Sequence, residues 1–317
     1  MPRSPESIAR KSAAPMLRIA LVGDRVDWHA RELAKALAEL GADAIPIRLE
    51  DCRFETDTDD GLYLPGFEAR LPDAVFVRSL SGGSFEAVTL RLGILHALSA
   101  SGIKVCNDPR AIERCVDKSM TSFLLTRAGI RTPATWVTES MASAQEIVRR
   151  ETRNGPLVLK PLFGSQGRNL RLITNPDALP DLVAVAGVYY LQRFLGVARD
   201  GEYRDFRLLV WQGEVIAAMM RHAAHWITNV KQGGRPVAVV PDRAMKEIAV
   251  HAAAAVGADL AGVDILHDAD GEPTVLEVNS MPAWSGLQKV ASINIASVFA
   301  ARLIADLANQ MKHGAAG

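Results

Sequence analysis

In the first third of the chain, short runs of apolar residues alternate with segments in which apolar residues recur at helical spacing. The apolar run Leu17–Asp24 ends in Gly-Asp, and apolar residues then recur at helical spacing, which predicts a strand that leads into a helix. Further strands are predicted at Ala44–Leu49, Ala74–Ser79 and Lys104–Asn107, with a helix at Phe85–Ser101. This alternation of strands and helices predicts a small α/β domain with a parallel sheet.

The pattern changes after residue 117. A helix is predicted at Lys118–Ala128, and a glycine and a Thr-Pro pair follow it, which indicates that the helix ends there. The apolar runs Leu157–Lys160 and Asn169–Ile173 then flank a glycine-bearing loop, Pro161–Arg168. The remaining predicted elements are the strands Tyr189–Phe194, Phe206–Trp211, Val215–Arg221, Gly262–Leu266 and Thr274–Val278, which suggest an antiparallel sheet, and the helix Ile293–Met311.

Composition and charge narrow the class of protein. The 317 residues fit one large domain or two to three small ones, and 49% apolar against 23% charged residues is typical of a soluble globular protein. Lys and Arg number 36, as do Asp and Glu, so no net field attracts nucleic acid or an anionic membrane. We therefore expect no nucleic-acid partner and no membrane association.

The cysteines and the first residues of the sequence indicate in which cellular compartment the protein is expected. Cys52, Cys106 and Cys115 are odd in number and lack C-x-x-C spacing, which favours reduced, buried structural thiols. Residues 1–15 contain no apolar core of a signal peptide, and no apolar stretch of the chain reaches membrane-spanning length. The sequence thus predicts a cytoplasmic protein with a mobile tail at residues 1–15.

The segment between residues 262 and 279 has two apolar strands around a central Asp-Gly pair, which predicts a hairpin. If the loop is symmetric about that pair, Asp264 lies opposite Glu277, and Asn279 lies opposite Gly262. Because strand side chains alternate with period two, Asp264, Glu277 and Asn279 then share one face. Two carboxylates and an amide oxygen on an apolar surface suit magnesium. The alternative is that both carboxylates are ordinary exposed positions on a one-sided sheet, but their apolar neighbours favour the metal.

A second candidate site is the loop that follows Lys160. Two glycines, Gly164 and Gly167, enclose Ser165 and Gln166. Glycines let backbone N–H groups close around phosphate oxygens, and the lysine supplies a positive charge. The same pattern also occurs in plain hairpin loops, and the order of a P-loop is absent. A single glycine at Gly-Asp after the first strand likewise gives little support to a dinucleotide-binding fingerprint.

These two segments, with the lysine before them, resemble the ATP-grasp superfamily and, within it, the RimK-like α-L-glutamate ligases. The resemblance covers about residues 105–298, and its segments occur in the family's order: DKSMTSFLLTRAGIRTP, VLKPLFGSQG, YYLQRFL, DFRLLV, AAMMRHAAHWITNVKQGG and GVDIL…VLEVNSMPAW. It implies an α/β N-terminal domain at 16–117, which helps to form the substrate site. It also implies an α+β ATP-grasp fold whose two subdomains, 118–187 and 188–313, grip ATP.

The same resemblance implies roles for individual residues. The residues implied to bind ATP are Lys118 and Lys160 at the phosphates, Gly164, Ser165, Gln166 and Gly167 over the triphosphate, and Gln192, Arg193, Phe194 and Leu195 at the adenine, with Asp205, Arg207 and Leu276. The implied ligands of Mg²⁺ or Mn²⁺, expected as two ions, are Asp264, Glu277 and Asn279. The implied catalytic residues are Arg221, Lys160 and Asn229, of which Arg221 would neutralise the transferred phosphoryl group.

Two positions depart from the family's pattern. Arg193 stands where a glutamate is frequent, which bears on contacts with the ribose. Ile227 stands where an arginine commonly precedes Thr-Asn, which bears on contacts with the substrate or the phosphates.

The implied reaction is amide-bond formation. A carboxylate attacks the γ-phosphoryl group of ATP to give an acyl phosphate, and an amine then displaces phosphate. Since no nucleophilic side chain is needed, the cysteines are poor catalytic candidates. His222 and His225 are expected as framework or substrate-lining residues rather than as a metal site.

The substrates are expected to be an amino acid and a small-molecule carboxylate acceptor. Because the resemblance implies that glutamate is the amino acid most often added, the preferred hypothesis is that L-glutamate is added to a coenzyme precursor of pterin, furan or deazaflavin type, and the resemblance also implies a homo-oligomer. A protein C-terminus or carrier protein is the alternative acceptor, although the neutral charge argues against a strongly basic partner. A non-catalytic ATP-binding regulator could dispense with the metal ligands, which are present here. Ligases of the D-alanine dipeptide or carboxylase type would lack the HWITNVKQGG segment.

Overall fold

The computed structural model describes residues 16–164 and 167–314. The predicted tail at residues 1–15 and the loop residues Ser165 and Gln166 lie outside the described residues. Within the described ranges the chain forms three larger sheets and one two-stranded ribbon.

The first sheet is parallel, with the strand order β2-β1-β5-β6, which confirms the prediction for this part of the chain. Its helix α1 starts at Asp27, whose side chain accepts a hydrogen bond from the Ala30 N–H at 2.9 Å, and buries Ala30, Leu33 and Leu37 on one face. The elements are β1 (Leu17–Val22), α1 (Trp28–Glu39), β2 (Ala42–Ile47), β3 (Arg53–Phe54), β4 (Leu62–Tyr63), β5 (Ala74–Val77), α2 (Phe85–Ala100), β6 (Lys104–Cys106) and α3 (Pro109–Val116). Strands β3 and β4 form the separate ribbon.

The second sheet is antiparallel, with the order β7-β10-β8-β9. Its elements are α4 (Lys118–Arg127), β7 (Thr135–Thr138), α5 (Met141–Glu151), β8 (Leu157–Lys160), β9 (Arg171–Ile173) and β10 (Tyr189–Arg193). The prediction that Tyr189–Phe194 joins the C-terminal antiparallel sheet is therefore wrong. An apolar run shows that a strand is buried but not which strand it pairs with, and β10 pairs with β7 and β8. The predicted subdomain boundary at 187 and 188 stays a prediction, and this pairing favours a boundary after Arg193.

The third sheet has five antiparallel strands in the order β13-β12-β11-β14-β15. Its elements are β11 (Tyr203–Trp211), β12 (Glu214–Ala223), β13 (Arg235–Ala238), α6 (Arg243–Val256), β14 (Leu260–His267), β15 (Pro273–Asn279), α7 (Ser285–Gln288) and α8 (Ile295–Gly314). Helix α6, which was not among the predicted elements, buries Ala249, Ala253 and Val256 against one face of this sheet. The opposite face is divided between a shared core and a polar cleft.

The shared core joins the first and third sheets through α8. Phe76 of β5, Trp211 of β11 and Phe299 of α8 are buried together, with ring centroids 5.1 to 6.5 Å apart. Asn107, directly after β6, is fully buried and binds the Leu260 carbonyl and N–H at 2.7 and 2.8 Å. The N-terminal sheet is therefore fixed to the third sheet by a continuous apolar core and by buried hydrogen bonds.

Among the described helices, none combines the length and apolar character needed to cross a lipid bilayer.

Candidate functional site

A cleft lies between the second and third sheets. It is lined by every predicted site residue within the described ranges: Lys118, Lys160, Gly164, Gly167, Gln192, Arg193, Phe194, Leu195, Asp205, Arg207, Arg221, Asn229, Asp264, Leu276, Glu277 and Asn279. Their placement in one cleft is a structural finding, and their individual roles stay predictions.

Charged side chains form a row across three strands on the floor of this cleft. Asp205 of β11 lies opposite Arg221 of β12, and Arg207 of β11 lies opposite Asp264 of β14. Asp205 and Arg207 are two positions apart and therefore share the face that the cleft exposes. Positive and negative charges thus alternate across the sheet.

The members of this row bind one another closely. Arg207 donates Nε and Nη2 to the two carboxylate oxygens of Asp264, both at 2.7 Å. Arg221 donates Nε to Asp205 at 2.8 Å, pairs with the same carboxylate through Nη2, and reaches Asp264 at 3.2 Å. Only 3% of the Arg221 side chain is exposed. The row is a nearly buried, bidentate network that holds its guanidiniums in fixed orientations.

Burial and neighbouring charges act in opposite directions on the pKa values of this network. Burial by itself raises the pKa of Asp264, but the Arg207 and Arg221 guanidiniums outweigh it and hold that pKa below its usual range. Burial likewise opposes the charge on Arg221, yet Asp205 and Asp264 raise its pKa well above the ordinary value. Both groups therefore carry full charge at neutral pH.

A β-bulge shapes the edge of the cleft. Asp264 pairs with Glu277 and Gly262 pairs with Asn279, as the hairpin geometry predicted. Beyond Asp264 the register shifts by one, because Ile265 pairs with Val275 and leaves Leu276 as the extra residue. The assumption of a loop symmetric about Asp-Gly is therefore wrong near the turn, while the pairing at the cleft is confirmed. Leu276 and Glu277 both line the cleft.

Asp264, Glu277 and Asn279 provide two carboxylates and an amide, a hard-oxygen set that suits Mg²⁺. Asp264 is buried, which contradicts the alternative that it is an ordinary exposed position. A carboxylate offers about four lone-pair sites, and the arginine contacts of Asp264 account for three of them. The residues therefore fit a magnesium ion. No cluster of three or more His, Cys, Asp or Glu side chains suited to a metal occurs within residues 16–164 and 167–314, so the predicted set depends on its amide.

On the opposite wall of the cleft, a lysine side chain holds the main chain of the glycine loop. The Lys118 ammonium group, at the start of α4, donates to the Gly164 carbonyl at 2.6 Å and the Leu162 carbonyl at 3.4 Å. Gly167 has a left-handed φ of 69°, and a Cβ there would lie 2.5 Å from Asn229 Oδ1 and 2.8 Å from Ile227. The glycine loop thus rests against the Ile227–Asn229 segment at a distance that only glycine permits.

Lys160 lies between the two walls at the end of β8. Its ammonium group donates to Gln192 Oε1 at 2.6 Å, and the Gln192 amide is fixed in turn by the Thr135 and Tyr190 hydroxyls at 3.3 and 3.2 Å. Burial lowers the pKa of Lys160, and Glu277 partly offsets this effect. A buried cation at this place is well suited to an anionic ligand such as a phosphate group.

The residues predicted around the adenine differ in their surroundings. The Arg193 guanidinium donates to the Glu151 carboxylate at 2.6 Å and to the Gly155 carbonyl at 3.0 Å, so it closes the end of α5. Phe194 instead packs edge to face on Trp226, with centroids 5.7 Å apart. Arg193, which stands where the family frequently has a glutamate, is therefore held in this chain by an ion pair with Glu151.

The remaining candidate groups have structural partners. The His222 imidazole binds Glu202 at 2.7 Å, and His225 accepts a hydrogen bond from the Ile227 N–H at 3.2 Å. The cysteines have no disulfide partner. Burial raises the pKa of Cys52 to about 11 and that of Cys106 to about 12, so neither thiol is a nucleophile at neutral pH.

Several residues of the cleft were not among the predicted site residues, namely Val158, Pro161, Arg168, Leu170, Gly196, Tyr203, Arg204, Trp226, Ile227, Thr228 and Leu266. Tyr203 could have been found, because it is two positions before Asp205 and so shares its face. Trp226 lies in the HWITNVKQGG segment that carries the resemblance, but no strand alternation marks this residue as facing the cleft.

Comparisons with known proteins show which family and which folds this chain is similar to. A family model described as the RimK-like ATP-grasp domain matches residues 115–303. The tetrahydromethanopterin:alpha-L-glutamate ligase of Methanosarcina acetivorans is 32% identical over 86% of this chain and 94% of that protein. The ligase of the same name from Methanocaldococcus jannaschii is 35% identical over 73% of this chain and 79% of that protein. The solved structure of the ATP-grasp ligase PsnB complexed with minimal precursor, Mg and ADP is similar in fold, with a TM-score of 0.69 and 23% identity over 93% of this chain and 100% of that one.

Proposed function

Because the chain belongs to the RimK-like ATP-grasp family, we propose that it adds L-glutamate to a small-molecule acceptor of the pterin type. The chain is an ATP-grasp ligase that forms carbon–nitrogen bonds. The observation that carries the proposal is the cleft, which is lined by every described residue that the resemblance assigns to the nucleotide or the metal. The choice of substrates is supported by the relatives, which are named for glutamate and tetrahydromethanopterin.

The two walls support different steps of this reaction. Lys118, Lys160 and the Gly164–Gly167 loop would hold the phosphates of ATP, the loop through its N–H groups and the lysines through their charges. The acceptor's carboxylate would attack the γ-phosphoryl group and form an acyl phosphate, and the glutamate α-amino group would then form the amide and release phosphate.

Arg221 is the residue best placed to stabilise the charge that develops during phosphoryl transfer. Asp205 and Asp264 fix its guanidinium in one orientation, so no reorganisation is needed as the reaction proceeds. Mg²⁺ held by Asp264, Glu277 and Asn279 would supply further neutralisation of the phosphate oxygens. Asn229 contacts the loop glycine and would orient the same group.

Other features remain predictions. Two metal ions, use of Mn²⁺ and a homo-oligomer are expected from the family resemblance, and a cytoplasmic location is expected from the cysteines and the start of the sequence. A protein C-terminus or carrier protein remains the alternative acceptor.

The proposal is tested by product analysis. The protein is incubated with ATP, Mg²⁺, L-glutamate and a tetrahydropterin that bears a carboxylate side chain, and the products are examined by mass spectrometry. We expect ADP release together with an acceptor that has gained one or more glutamyl units, and little ADP when the acceptor is omitted. Absence of ADP release under all these conditions would support a non-catalytic regulator instead.

A second measurement assigns the two substrates their roles. Positional isotope exchange in ATP should require the acceptor, because only the activated carboxylate can attack the γ-phosphoryl group. Exchange that depends on L-glutamate alone would show that glutamate is activated and would overturn this assignment. A peptide with a free C-terminus replaces the pterin in a parallel reaction, and modification of the peptide alone would favour the alternative acceptor.

A further inference from the structure

A second cavity lies at the carboxyl edge of the N-terminal parallel sheet, apart from the cleft between the second and third sheets. It has a volume of about 170 Å³ and lies among the ends of β1 and β2 and the first turns of α1. Its floor is apolar, and Arg25, Arg48 and Arg78 line it. A dry cavity of about 150 Å³ holds a benzene-sized molecule, so this one accommodates a group the size of a glutamate side chain.

This cavity lies where the strand order of the parallel sheet reverses. In the order β2-β1-β5-β6 the chain moves from one side of β1 to the other between β2 and β5. Open α/β sheets bind ligands at the carboxyl ends of their strands, where the strand order reverses in this way. Gly23 and Arg78, which follow β1 and β5 directly, flank this point and line the cavity.

The three arginines are not equivalent. Arg48 is neutralised by Asp51 at 2.8 Å and Glu50 at 2.9 Å. Arg78 is largely buried, and its nearest carboxylate, Asp27, is 3.7 Å away. Arg25 is exposed at the rim and forms no ion pair with any residue that the structure describes. Arg25 is therefore unpaired among the described residues and Arg78 is only loosely paired, so both can still bind an anionic ligand.

One buried donor of a cavity-lining residue, and one of a neighbouring residue outside the lining, lack an acceptor among residues 16–164 and 167–314. They are Nε of Arg78 and the indole N–H of Trp284. The two groups are neighbours, because the Arg78 guanidinium carbon lies 5.3 Å from the Trp284 ring centroid. The adjacent His29 cannot accept from them, since Asp27 and the Ser285 N–H occupy its two nitrogens at 3.0 and 3.2 Å. Buried donors without acceptors are costly, which indicates an oxygen-bearing ligand.

The cavity adjoins the reaction centre through one short segment. Arg78 Nη1 donates to the Met281 carbonyl at 3.3 Å. Met281 is two residues after Asn279, which lines the cleft, so their Cα atoms are at most about 7 Å apart. A substrate anchored near Arg78 can therefore extend toward the predicted metal ligands.

We propose that Arg25 and Arg78 bind a carboxylate of one of the ligase's two substrates and so position that substrate for amide formation. The inference rests on the proposed function, in which both substrates are acidic. A guanidinium matches the planar geometry of a carboxylate with two parallel hydrogen bonds. The carboxylate belongs either to the incoming L-glutamate or to the acceptor's side chain, and the experiment separates these two sources.

The first experiment measures protection of arginines in the full chain without turnover. Hydroxyphenylglyoxal modifies exposed arginines, and peptide mapping follows Arg25 and, as an internal control, the exposed Arg110 on α3. A bound carboxylate should slow the modification of Arg25 about ten-fold and leave Arg110 unchanged. Protection by L-glutamate but not by L-glutamine assigns the site to the glutamate γ-carboxylate, protection by both assigns it to the α-carboxylate, and protection by the acceptor alone assigns it to the acceptor. Protection by neither overturns the proposal.

The second experiment uses Arg25→Gln, with Arg110→Gln as the matched control. Because a charge-assisted hydrogen bond is lost, the KM of the protecting substrate should rise about ten- to hundred-fold, while the KM of ATP and the melting temperature stay as in the parent protein. Arg25→Lys should restore only part of the affinity, since lysine lacks the planar fork. Unchanged KM values for both substrates in Arg25→Gln would contradict the proposal.

The two experiments also separate this proposal from the proposed function. If L-glutamate protects Arg25 but no glutamyl product forms, the carboxylate site stands and the proposed reaction fails. If product forms and neither substrate protects Arg25, the reaction stands and the carboxylate site is wrong. Arg78 is not substituted in these tests, because its contacts with Trp284 and Met281 also support the fold.

Discussion

The two walls of the cleft are stabilised in different ways. On the third sheet, Arg221, Asp205, Arg207 and Asp264 hold one another through paired, nearly buried charges. On the opposite wall, the glycine loop is held by main-chain contacts, and its Phe163 side chain is 63% exposed. One wall therefore has its geometry fixed by cross-strand ion pairs, whereas in the described part of the other wall the glycine loop is held by hydrogen bonds from Lys118 to main-chain carbonyls.

This difference separates two demands on an ATP-dependent ligase. Charges that stabilise phosphoryl transfer act best when they are already oriented, which the ion-pair row achieves. A loop that covers the phosphates must open to admit ATP and close to exclude water, which requires low local stability. Substitutions in the ion-pair row should consequently lower stability strongly and ATP affinity little. Substitutions in the glycine loop should mainly lower the use of ATP.

The largest effect is expected from Arg221→Ala. Removing this guanidinium leaves Asp205 and Asp264 with less compensation in a buried site, so the free energy of unfolding should fall by about 3–5 kcal/mol. The turnover rate should fall about 10²- to 10³-fold, and ATP affinity should change much less. Chemical denaturation and steady-state kinetics measure both, with Arg243→Ala, whose side chain is 91% exposed, as the control. Equal losses in the two variants would contradict the role of the row.

Glu277→Ala should act on the reaction with little effect on the fold. Glu277 is only partly buried and forms no ion pair with any described residue, so its loss breaks no ion pair, although it removes a charge that partly offsets the effect of burial on the pKa of Lys160. The loss of a metal ligand should lower turnover about 10³-fold, and the melting temperature should stay within a few degrees. Raising the Mg²⁺ concentration should recover part of the rate. Unchanged ADP formation would show that Glu277 does not bind the metal.

Gly167→Ala tests the other wall. Alanine at a left-handed φ costs about 1–2 kcal/mol, and here its Cβ would also press on Asn229 and Ile227. Gly213→Ala is the matched control, because Gly213 has a similar φ of 78° and a Cβ added there would meet no atom within 4 Å. Both variants should lose stability, Gly167→Ala at least as much as Gly213→Ala, but only Gly167→Ala should lower kcat/KM for ATP, by about ten-fold. The same loss in both variants would show that strain alone is responsible.

Hydrogen exchange examines the loop in the unchanged protein. The amides between residues 161 and 168 should exchange several-fold more slowly when ATP and Mg²⁺ are present, because a closed loop binds phosphates through those groups. The strand β11, at the centre of the rigid wall, should show little change and serves as the internal control. Equal exchange of the loop with and without ATP would argue against closure.

The smallest effect concerns pH and lies outside both walls. Burial, together with Arg78 beside it, lowers the pKa of His29 from the ordinary value of 6.5. Between the pKa values of His29 in the folded and the unfolded chain, the unfolded chain binds more protons than the folded one. The contribution of His29 to the free energy of unfolding is therefore full above pH 6.5 and is lost as the pH falls below it. His29→Gln keeps an acceptor for the Ser285 N–H and should flatten the curve by at most about 1.4 kcal/mol per pH unit. Parallel stability curves for the two proteins would refute this expectation.

The site was predictable to the extent that local patterns define it. The assumption of a loop symmetric about Asp-Gly placed Asp264 and Glu277 opposite each other, and the structure confirms that pairing. The turn was predicted one residue out of register, and the bulge at Leu276 compensates for the difference, because pattern alone does not reveal an extra residue. The correct result at the cleft therefore depends on an irregularity that the sequence did not indicate.

Long-range partners were not predictable. The ion pair between Arg193 and Glu151 spans 42 positions, and the arginine contacts of Asp264 span up to 57. Tyr189–Arg193 was assigned to the wrong sheet for the same reason, since strand pairing depends on the whole fold rather than on the strand. Such contacts follow from topology, which a single sequence specifies only indirectly.

The core formed by Phe76, Trp211 and Phe299 has a consequence for protein engineering. Exchange of the N-terminal domain between relatives is an obvious route to ligases with new acceptors. In this chain such a graft would cut through a shared aromatic cluster and would separate Asn107 from its partners on β14. A chimera is therefore expected to need the donor's α8 and its matching strand residues as well, so that the transferable module is the domain together with the surface it packs on.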